Sequence, residues 1–130
     1  MVAALQQAKL EPADLQHLNA HSTSTPVGDK GELEAIKSVF GRAGRIAVSA
    51  TKSATGHLLG AAGGLEAIFT ILALRDQVAP PTLNLVTPDE AAEGVDLVAV
   101  NARPMAMENA ISNGFGFGGV NASIVLRRWT

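Results

Sequence analysis

The sequence predicts an α/β fold built on a mostly parallel sheet. Short apolar strands alternate with helical segments along the chain, which is the pattern of strand–helix–strand units. The 130 residues suit one domain, and 47% of them are hydrophobic, enough to form a core. Polar or glycine-rich loops follow the strands, so functional groups are expected at the carboxyl edge of the sheet.

The first part of the chain predicts a helix, a strand and a second helix. Residues 2–9 are predicted to be the end of a helix, which terminates at "LEPAD". The following "LQHLNA" is predicted to be a short strand. We expect the next helix to have Asp29 as its N-cap, with Glu32 as the return partner of a capping box. Apolar residues at helical spacing continue to Phe40, and Gly41 stands where the helix should end.

The second part of the chain predicts a strand, a long helix and further strands. "RIAVSA" is the strand, and the main helix is expected over Leu58–Asp76, with Leu65, Ile68, Phe69 and Leu72 on one face. Its many glycine and alanine residues suggest close packing against the sheet or another backbone. A proline-punctuated loop, "APPTLNLVTPDEA", then leads to the strands "DLVAVN", "NAISNG" and "NASIVLRRW".

Composition excludes several classes of protein. The net charge of −2 disfavours a globally basic nucleic-acid surface. The chain contains no cysteine, which excludes a disulfide framework, a cysteine metal site and a cysteine nucleophile within it. Lys9 and Glu11 interrupt the start where a secretory segment would stay apolar, and Glu66 interrupts the most apolar run. We therefore expect a cytoplasmic location.

Three titratable residue types stand in or beside the predicted loops. His21 is followed by four hydroxyl residues, and Lys52 precedes His57 in "TKSATGH". Loops that follow parallel strands meet at one sheet edge, so these groups could form an acid–base or oxyanion site. Glu66 is the one charge inside the apolar part of the main helix, and Lys52 is its natural partner if both are buried.

Each of these residues also has a plainer interpretation. The hydroxyls after His21 could satisfy local backbone groups, Lys52 could be solvated, and His57 could be structural. Glu66 could lie on the exposed face of its helix. A zinc site from His21, His57 and Asp29 is a weaker alternative, because no compact ligand spacing is present.

The glycine-rich turn "SNGFGFGGVN" matches G-x-G-x-x-G through Gly114, Gly116 and Gly119. A dinucleotide-binding loop is nevertheless excluded, because that motif needs a helix after it and here a strand follows. Phe115 and Phe117 between glycines favour a mobile apolar gate. The alternative is a tight hairpin with two core aromatic side chains.

In this order, "NAHSTSTPVGD", "ATKSATGHLLGAAGG" and "SNGFGFGGVN" resemble the motifs of the beta-ketoacyl-acyl-carrier-protein synthases. The likeness extends from about Leu10 to Trp129, and it is nearer to the dissociated type II elongating enzymes than to modular polyketide ketosynthases. It implies a thiolase-like fold, a layered α-β-α unit around a mixed, mostly parallel sheet. The implied reaction joins an acyl thioester to malonyl-acyl-carrier protein by decarboxylative Claisen condensation in fatty acid biosynthesis.

The resemblance implies roles for four charged or imidazole groups. His21 and His57 are similar to the two active-site histidines that assist decarboxylation and stabilise the enolate oxygen. Lys52 resembles the active-site lysine of the family, and Glu66 resembles its carboxylate partner. No metal and no cofactor is implied beyond the phosphopantetheine arm of the acyl carrier protein, which is the implied partner.

The resemblance also implies a substrate-binding set: Thr23, Thr25, Phe115, Gly116 and Gly118. The two threonines would hydrogen-bond the phosphopantetheine arm, and Phe115 would line the pocket. Phe117 resembles a gating phenylalanine whose backbone N–H helps to form the oxyanion hole. The family more often has serine where this chain has Gly114, which suggests a looser loop.

The family also needs a cysteine nucleophile, which it carries ahead of the first of these motifs. We therefore expect residues 1–130 to be the C-terminal part of a ketosynthase, truncated at its N-terminal side and inactive alone. The missing N-terminal half would then be a partner, the parent enzyme a homodimer, and the isolated chain prone to self-association. Alternatives are a non-catalytic carrier-binding module, a polyketide ketosynthase fragment and a non-condensing relative with the same fold.

Overall fold

The computed structural model describes residues 1–42 and 46–129. The helices within these residues are α1 (Val2–Ala8), α2 (Pro26–Phe40), α3 (Lys52–Thr55) and α4 (Ala62–Asp76). The strands in the same residues are β1 (His17–Asn19), β2 (Ala47–Ser49), β3 (Val78–Ala79), β4 (Asp96–Leu97), β5 (Arg103–Pro104), β6 (Asn109–Phe115) and β7 (Asn121–Arg127).

Five of these strands form one mixed sheet in the order β4-β2-β1-β6-β7. β1 pairs in parallel with β2 and β6, β2 pairs in parallel with β4, and only the pairing of β6 with β7 is antiparallel among them. The predicted mostly parallel sheet is therefore confirmed. It follows that the segments leaving β1 and β2 emerge at the same edge.

The two faces of the sheet are covered by different helices. On one face, Leu18 lies in register with Val48 and Ile111, and Leu5 of α1 and Ile36 of α2 belong to the same buried cluster. Because side chains alternate along a strand, His17 and Asn19 point to the opposite face. That face packs against α4, where Ala73 and Leu74 meet Ala110 and Met107. The layered α-β-α arrangement is thus confirmed.

α2 begins earlier than the sequence analysis predicts. Pro26 is its first residue and Thr25 its N-cap, so Asp29 lies in the first turn. Proline suits the first helical position because its fixed φ is already helical and its missing N–H costs nothing there. The predicted capping box of Asp29 with Glu32 is therefore wrong. The predicted end is confirmed, since Gly41 follows the helix with φ of 80°.

The helix predicted over Leu58–Asp76 is shorter at its start. A single 3-10 turn covers Leu59–Ala61, and the α-helix proper runs from Ala62 to Asp76. Leu59 has φ of 52°, a conformation that an α-helix cannot contain. The predicted end at Asp76 is confirmed.

The apolar face predicted for α4 is not the face that packs on the sheet. The buried side chains of α4 include Glu66 and Thr70, whereas Ile68 and Ile71 are about half exposed. The glycine residues before and within this helix also do not mark close packing. A Cβ atom at Gly60, Gly63 or Gly64 would meet no other atom within 4 Å, so that prediction is wrong for the described chain.

Two short strands were missed by the sequence analysis. β3 and β5 pair antiparallel, with Val78 opposite Pro104; β3 stands at the start of the long loop and β5 follows β4. Strands of two residues carry too little alternation to be recognised from sequence. Among the described residues, no helix combines the length and apolar character needed to cross a bilayer.

Candidate active site

The loop after β1 is held in place by a buried carboxylate of α2. Glu32 accepts hydrogen bonds from the backbone N–H of His21 at 2.9 Å and from that of Ser22 at 2.8 Å. Asn113 of β6 also donates its side-chain amide to Glu32, at 3.0 Å. These hydrogen bonds connect the loop to α2 and, through Glu32, to β6, and they fix the backbone position of His21.

The segment after β2 places a lysine beside that loop. Lys52 is 7% exposed and forms an ion pair with Glu66, which is 2% exposed and lies on the inner face of α4. The Lys52 ammonium also donates to the backbone carbonyl of His21 and lies 3.3 Å from His21 Nδ1. The lysine thus joins the β1 loop, the β2 loop and α4.

The imidazole rings of His21 and His57 meet edge to face. Their centroids are 5.5 Å apart with an interplanar angle of 89°. The ring of Phe115, at the end of β6, lies 5.7 Å from that of His21. The three polar or glycine-rich segments named in the sequence analysis therefore contribute to one place.

Burial and neighbouring charge set the protonation of this cluster. Burial lowers the pKa of His21, and the Lys52 ammonium and His57 lower it further, while Asp29 opposes them. His21 is therefore neutral at pH 7. Burial raises the pKa of the Glu66 carboxyl, against which the Lys52 ammonium acts. Because the ion pair is in direct contact, we assign Glu66 the charged form that the ammonium favours.

Next to the cluster lies a cavity of about 580 Å³. Its lining combines residues of the β1 loop, α2, the β2 loop and the long loop, including Thr23, Asp29, Lys52, His57 and Asn84. A space of this size beside the His57 imidazole can hold part of a substrate. Among residues 1–42 and 46–129, no three histidine or acidic side chains are grouped so that they could hold a metal ion.

Comparisons of the sequence with known proteins indicate the family of the chain. Residues 1–86 match the family described as beta-ketoacyl synthase, C-terminal domain. The chain is 50% identical over 130 residues to 3-oxoacyl-[acyl-carrier-protein] synthase 2 of Staphylococcus aureus (strain COL), covering 99% of this chain and 31% of that protein.

Solved structures show the same relationship. A beta-ketoacyl synthase from Burkholderia phymatum STM815 superposes with a TM-score of 0.95 and 41% identity, over 100% of this chain and 31% of that one. A ketosynthase complex described as a type II PKS acyl-carrier protein with its ketosynthase bound to the hexaketide superposes at 0.93 and 32% identity, over 99% and 32%.

The chain belongs to the beta-ketoacyl synthases. It spans about 31% of the length of the curated relatives it matches. Its fold is the thiolase-like ketosynthase fold, as the resemblance implied.

The remaining residues that the sequence analysis selected lie at the start of α2 and around the turn between β6 and β7. The hydroxyls of Thr23 and Thr25 are 3.2 Å apart, at the entrance to α2. In the glycine turn, the N–H of Gly116 donates to the carbonyl of Val120 at 2.7 Å, and Gly118 has φ of 75°. Such a φ favours glycine because a Cβ would clash with the backbone.

The two phenylalanines of the turn differ sharply in environment. The ring of Phe115 contacts that of His21, whereas Phe117 is completely exposed. Gly114, for which a looser loop was expected, lies within β6 opposite Ala122 and not in the turn. A Cβ at Gly114 would meet no atom within 4 Å, so the strand itself has room for serine there.

Sequence reasoning missed two polar residues that position the site. The sequence analysis predicts only a capping role for Glu32, although this residue precedes Ile36 by one helical turn and so shares its buried face. Asn19 in β1 accepts a hydrogen bond from the Thr51 hydroxyl at 3.1 Å and donates to the backbone carbonyl of Glu66 at 3.3 Å. An asparagine within an apolar strand was the available signal.

Proposed function

We propose that this chain supplies the C-terminal part of an enzyme that condenses an acyl thioester with malonyl-acyl-carrier protein in fatty acid biosynthesis. The observation that carries the proposal is the pair of imidazoles, His21 and His57, 5.5 Å apart beside the buried Lys52–Glu66 ion pair. The S. aureus relative favours the fatty-acid reaction over a polyketide one, since its 50% identity exceeds the 32% of the polyketide neighbour.

The first step is loss of carbon dioxide from the malonyl thioester. The bond between the α-carbon and the carboxylate breaks, and its electron pair forms an enolate with negative charge on the thioester oxygen. Two imidazole N–H groups aimed at that oxygen stabilise the charge as it develops. Loss of one such donor typically lowers kcat by about 10²–10³-fold.

The lysine selects the form of His21 that can donate. An ammonium can only donate, so Lys52 Nζ at 3.3 Å directs its hydrogen to the lone pair of His21 Nδ1. The ring hydrogen of neutral His21 is then on Nε2, where it is available to the enolate oxygen. Glu66 balances the charge of the lysine, so the ammonium stays charged in a buried position.

The second step forms the new carbon–carbon bond. The enolate carbon attacks the carbonyl of an acyl group held as a thioester, and the thiolate leaves with the electron pair of the broken C–S bond. This chain has no cysteine to carry that acyl group. We therefore propose that the nucleophile comes from the N-terminal half of the enzyme and that the isolated chain is inactive.

The proposed carrier of both substrates is an acyl carrier protein, and its phosphopantetheine arm takes the place of a separate cofactor. Thr23 and Thr25 offer adjacent hydroxyls for the amide groups of that arm. The structure neighbour described as an acyl-carrier protein in complex with its ketosynthase supports this choice of partner. We extend the proposal to a homodimeric parent enzyme.

The outer face of α4 supports a further partner, the remainder of the enzyme. This helix buries a carboxylate and exposes aliphatic side chains, with Ile68 at 53% and Ile71 at 50% exposure. Because each of these side chains is already about half buried, covering the rest of one stabilises an assembly by about 0.8–1.5 kcal/mol. A face of this kind fits the packed interior of a larger protein better than water.

The decisive experiment joins residues 1–130 to the part of the S. aureus relative that this chain does not match. We expect the chimera to condense acyl groups with malonyl-acyl-carrier protein, and the chain alone to form no acyl-enzyme. In the chimera, His21→Ala or His57→Ala should lower release of carbon dioxide from malonyl-carrier by about 10²-fold or more.

Thr87→Ala, a change in the long loop outside the residues that line the cavity, is the matched control and should keep parental activity. A folded chimera that accepts an acyl group but releases no carbon dioxide would contradict the catalytic proposal. Tight binding of the carrier without any turnover would instead indicate the non-catalytic carrier-binding module.

A further inference from the structure

A buried polar chain on the α4 side of the sheet connects β1 to the long loop. His17 Nε2 lies 2.9 Å from the Ser49 hydroxyl, which donates to the backbone carbonyl of Pro80 at 2.5 Å. Both His17 and Ser49 are completely buried. Neither residue contributes to the site described above, so their hydrogen bonds need another explanation.

The direction of these hydrogen bonds follows from the donors and acceptors that each group has. The Pro80 carbonyl can only accept, so it uses the single hydrogen of Ser49. His17 must then donate from Nε2 to the serine oxygen, which leaves Nδ1 without hydrogen. Nδ1 is buried and has no hydrogen-bond partner among the described residues. His17 is therefore neutral and held in one tautomer, and burial together with Arg103 lowers its pKa to about 4.

The segment bonded to Ser49 forms hydrogen bonds with residues on both sides of Lys52. The N–H of Ala50 donates to the Thr82 hydroxyl at 2.9 Å, and the N–H of Leu83 donates to the Ser53 hydroxyl at 2.8 Å. The N–H of Thr82 is bonded in turn to the Val98 carbonyl at 2.7 Å. Residues 80–83 thus bridge the lysine segment and the chain after β4.

We propose that Ser49, supported by His17, is a positioning residue for Lys52. The Ser49 hydroxyl fixes residues 80–83, and these fix Ala50 and Ser53 on either side of the lysine. The ammonium is thereby kept against the carbonyl and Nδ1 of His21. The inference goes beyond the proposed function, because it concerns the position of one charge and stands whatever reaction the site performs.

The titration of His21 reports the position of that charge. The groups that act on the His21 imidazole are Lys52 and His57, which lower its pKa, and Asp29, which raises it. The chain contains three histidines, so an ¹⁵N-histidine-labelled sample gives three ring systems to follow by long-range ¹H–¹⁵N spectra. In the parent chain we expect His17 to show hydrogen on Nε2 alone.

Removal of the serine hydroxyl should release the lysine. In Ser49→Ala we expect the His21 titration midpoint to rise towards its ordinary value of 6.5, because the ammonium is no longer held beside it. Ser49→Thr keeps a hydroxyl and should restore the parental midpoint. Should Ser49→Ala not fold, Thr82→Val carries the same expectation, since it removes the acceptor of the Ala50 N–H and leaves the His17–Ser49 pair intact.

Two controls separate positioning from general destabilisation. Ser38→Ala removes a hydroxyl that bonds only within α2, and Leu15→Ala opens the core ahead of β1, at the opposite end of that strand from His21. Both should leave the His21 midpoint unchanged. An unchanged midpoint in folded Ser49→Ala, or in Thr82→Val if the former does not fold, overturns the proposal. Hydrogen on Nδ1 of His17 in the parent chain would overturn it as well.

Discussion

The buried ion pair of Lys52 and Glu66 allows a quantitative test of how the site is built. Both residues are almost completely buried, at 7% and 2% exposure, and the ammonium is shared with the His21 carbonyl. Removal of one partner from such a pair typically costs about 3–5 kcal/mol, because the other charge stays buried without compensation. That loss is a large part of the roughly 5–15 kcal/mol that stabilises a domain.

We therefore expect Glu66→Gln and Lys52→Met each to lower the free energy of unfolding by about 3–5 kcal/mol. The double variant removes both charges of the pair, so neither is left buried without its partner, and it should cost less than the sum of the two single changes. The expected coupling is about 2–3 kcal/mol, at the upper end for residues in contact. Asp76→Asn, at the exposed Arg75–Asp76 pair, is the control and should leave stability near that of the parent.

Urea unfolding followed by far-ultraviolet circular dichroism is the suitable assay. The single tryptophan, Trp129, is 95% exposed near the chain end, so its fluorescence would report poorly on unfolding of the core. Additive effects of the two substitutions would refute the reasoning, because they would mean that the two charges do not stabilise one another. A loss below about 1 kcal/mol in Glu66→Gln would do the same, since a solvated pair behaves in that way.

Three further predictions concern other parts of the chain. The pKa of buried His17 is about 4 in the folded chain against 6.5 ordinarily, so the unfolded chain takes up this proton first as the pH falls. The contribution of His17 to the free energy of unfolding is complete above pH 6.5 and falls by about 3 kcal/mol as the pH is lowered to 4. In His17→Gln the free energy of unfolding should therefore fall by that much less over the same range. Urea titrations at several pH values would show the difference. Gly118→Ala should destabilise by about 1 kcal/mol because its φ is 75°, whereas Gly31→Ala, inside α2 with open space around it, should stabilise by about 0.5–1 kcal/mol; thermal melts of both variants check the opposite signs. The isolated chain should self-associate through the outer face of α4, and Ile68→Lys should lower its sedimentation-derived mass, with Lys30→Gln on the exposed side of α2 as a control that should not.

Some features of the site follow from sequence because they depend on strand direction alone. Parallel strands end at one edge, so the segments that carry His21 and Lys52 had to meet there once β1 and β2 were recognised. The residue types then suggested an oxyanion site, and the motif resemblance indicated the family. These inferences use local pattern and topology, which the order of residues contains.

The inward placement of Glu66 does not follow from strand direction, and the sequence analysis offered it only as the partner of Lys52 with an exposed position as the alternative. α4 is apolar on nearly all sides, so its sequence gives no preferred inner face, and we assigned that face to the aliphatic residues. Burial of the carboxylate is favourable only because Lys52 arrives from another element. A partner distant in sequence therefore outweighed the local hydrophobic pattern.

What the sequence by itself determined is the α/β order of elements, the edge at which the polar segments meet, and the family. Tertiary structure alone decided that Glu32 holds the His21 loop instead of capping its helix, that Glu66 faces inward, and that Ser49 joins His17 to residues 80–83. The physical reason is that a buried polar group is stable only when hydrogen-bonded or paired, and the partners of these three come from elements far apart along the chain.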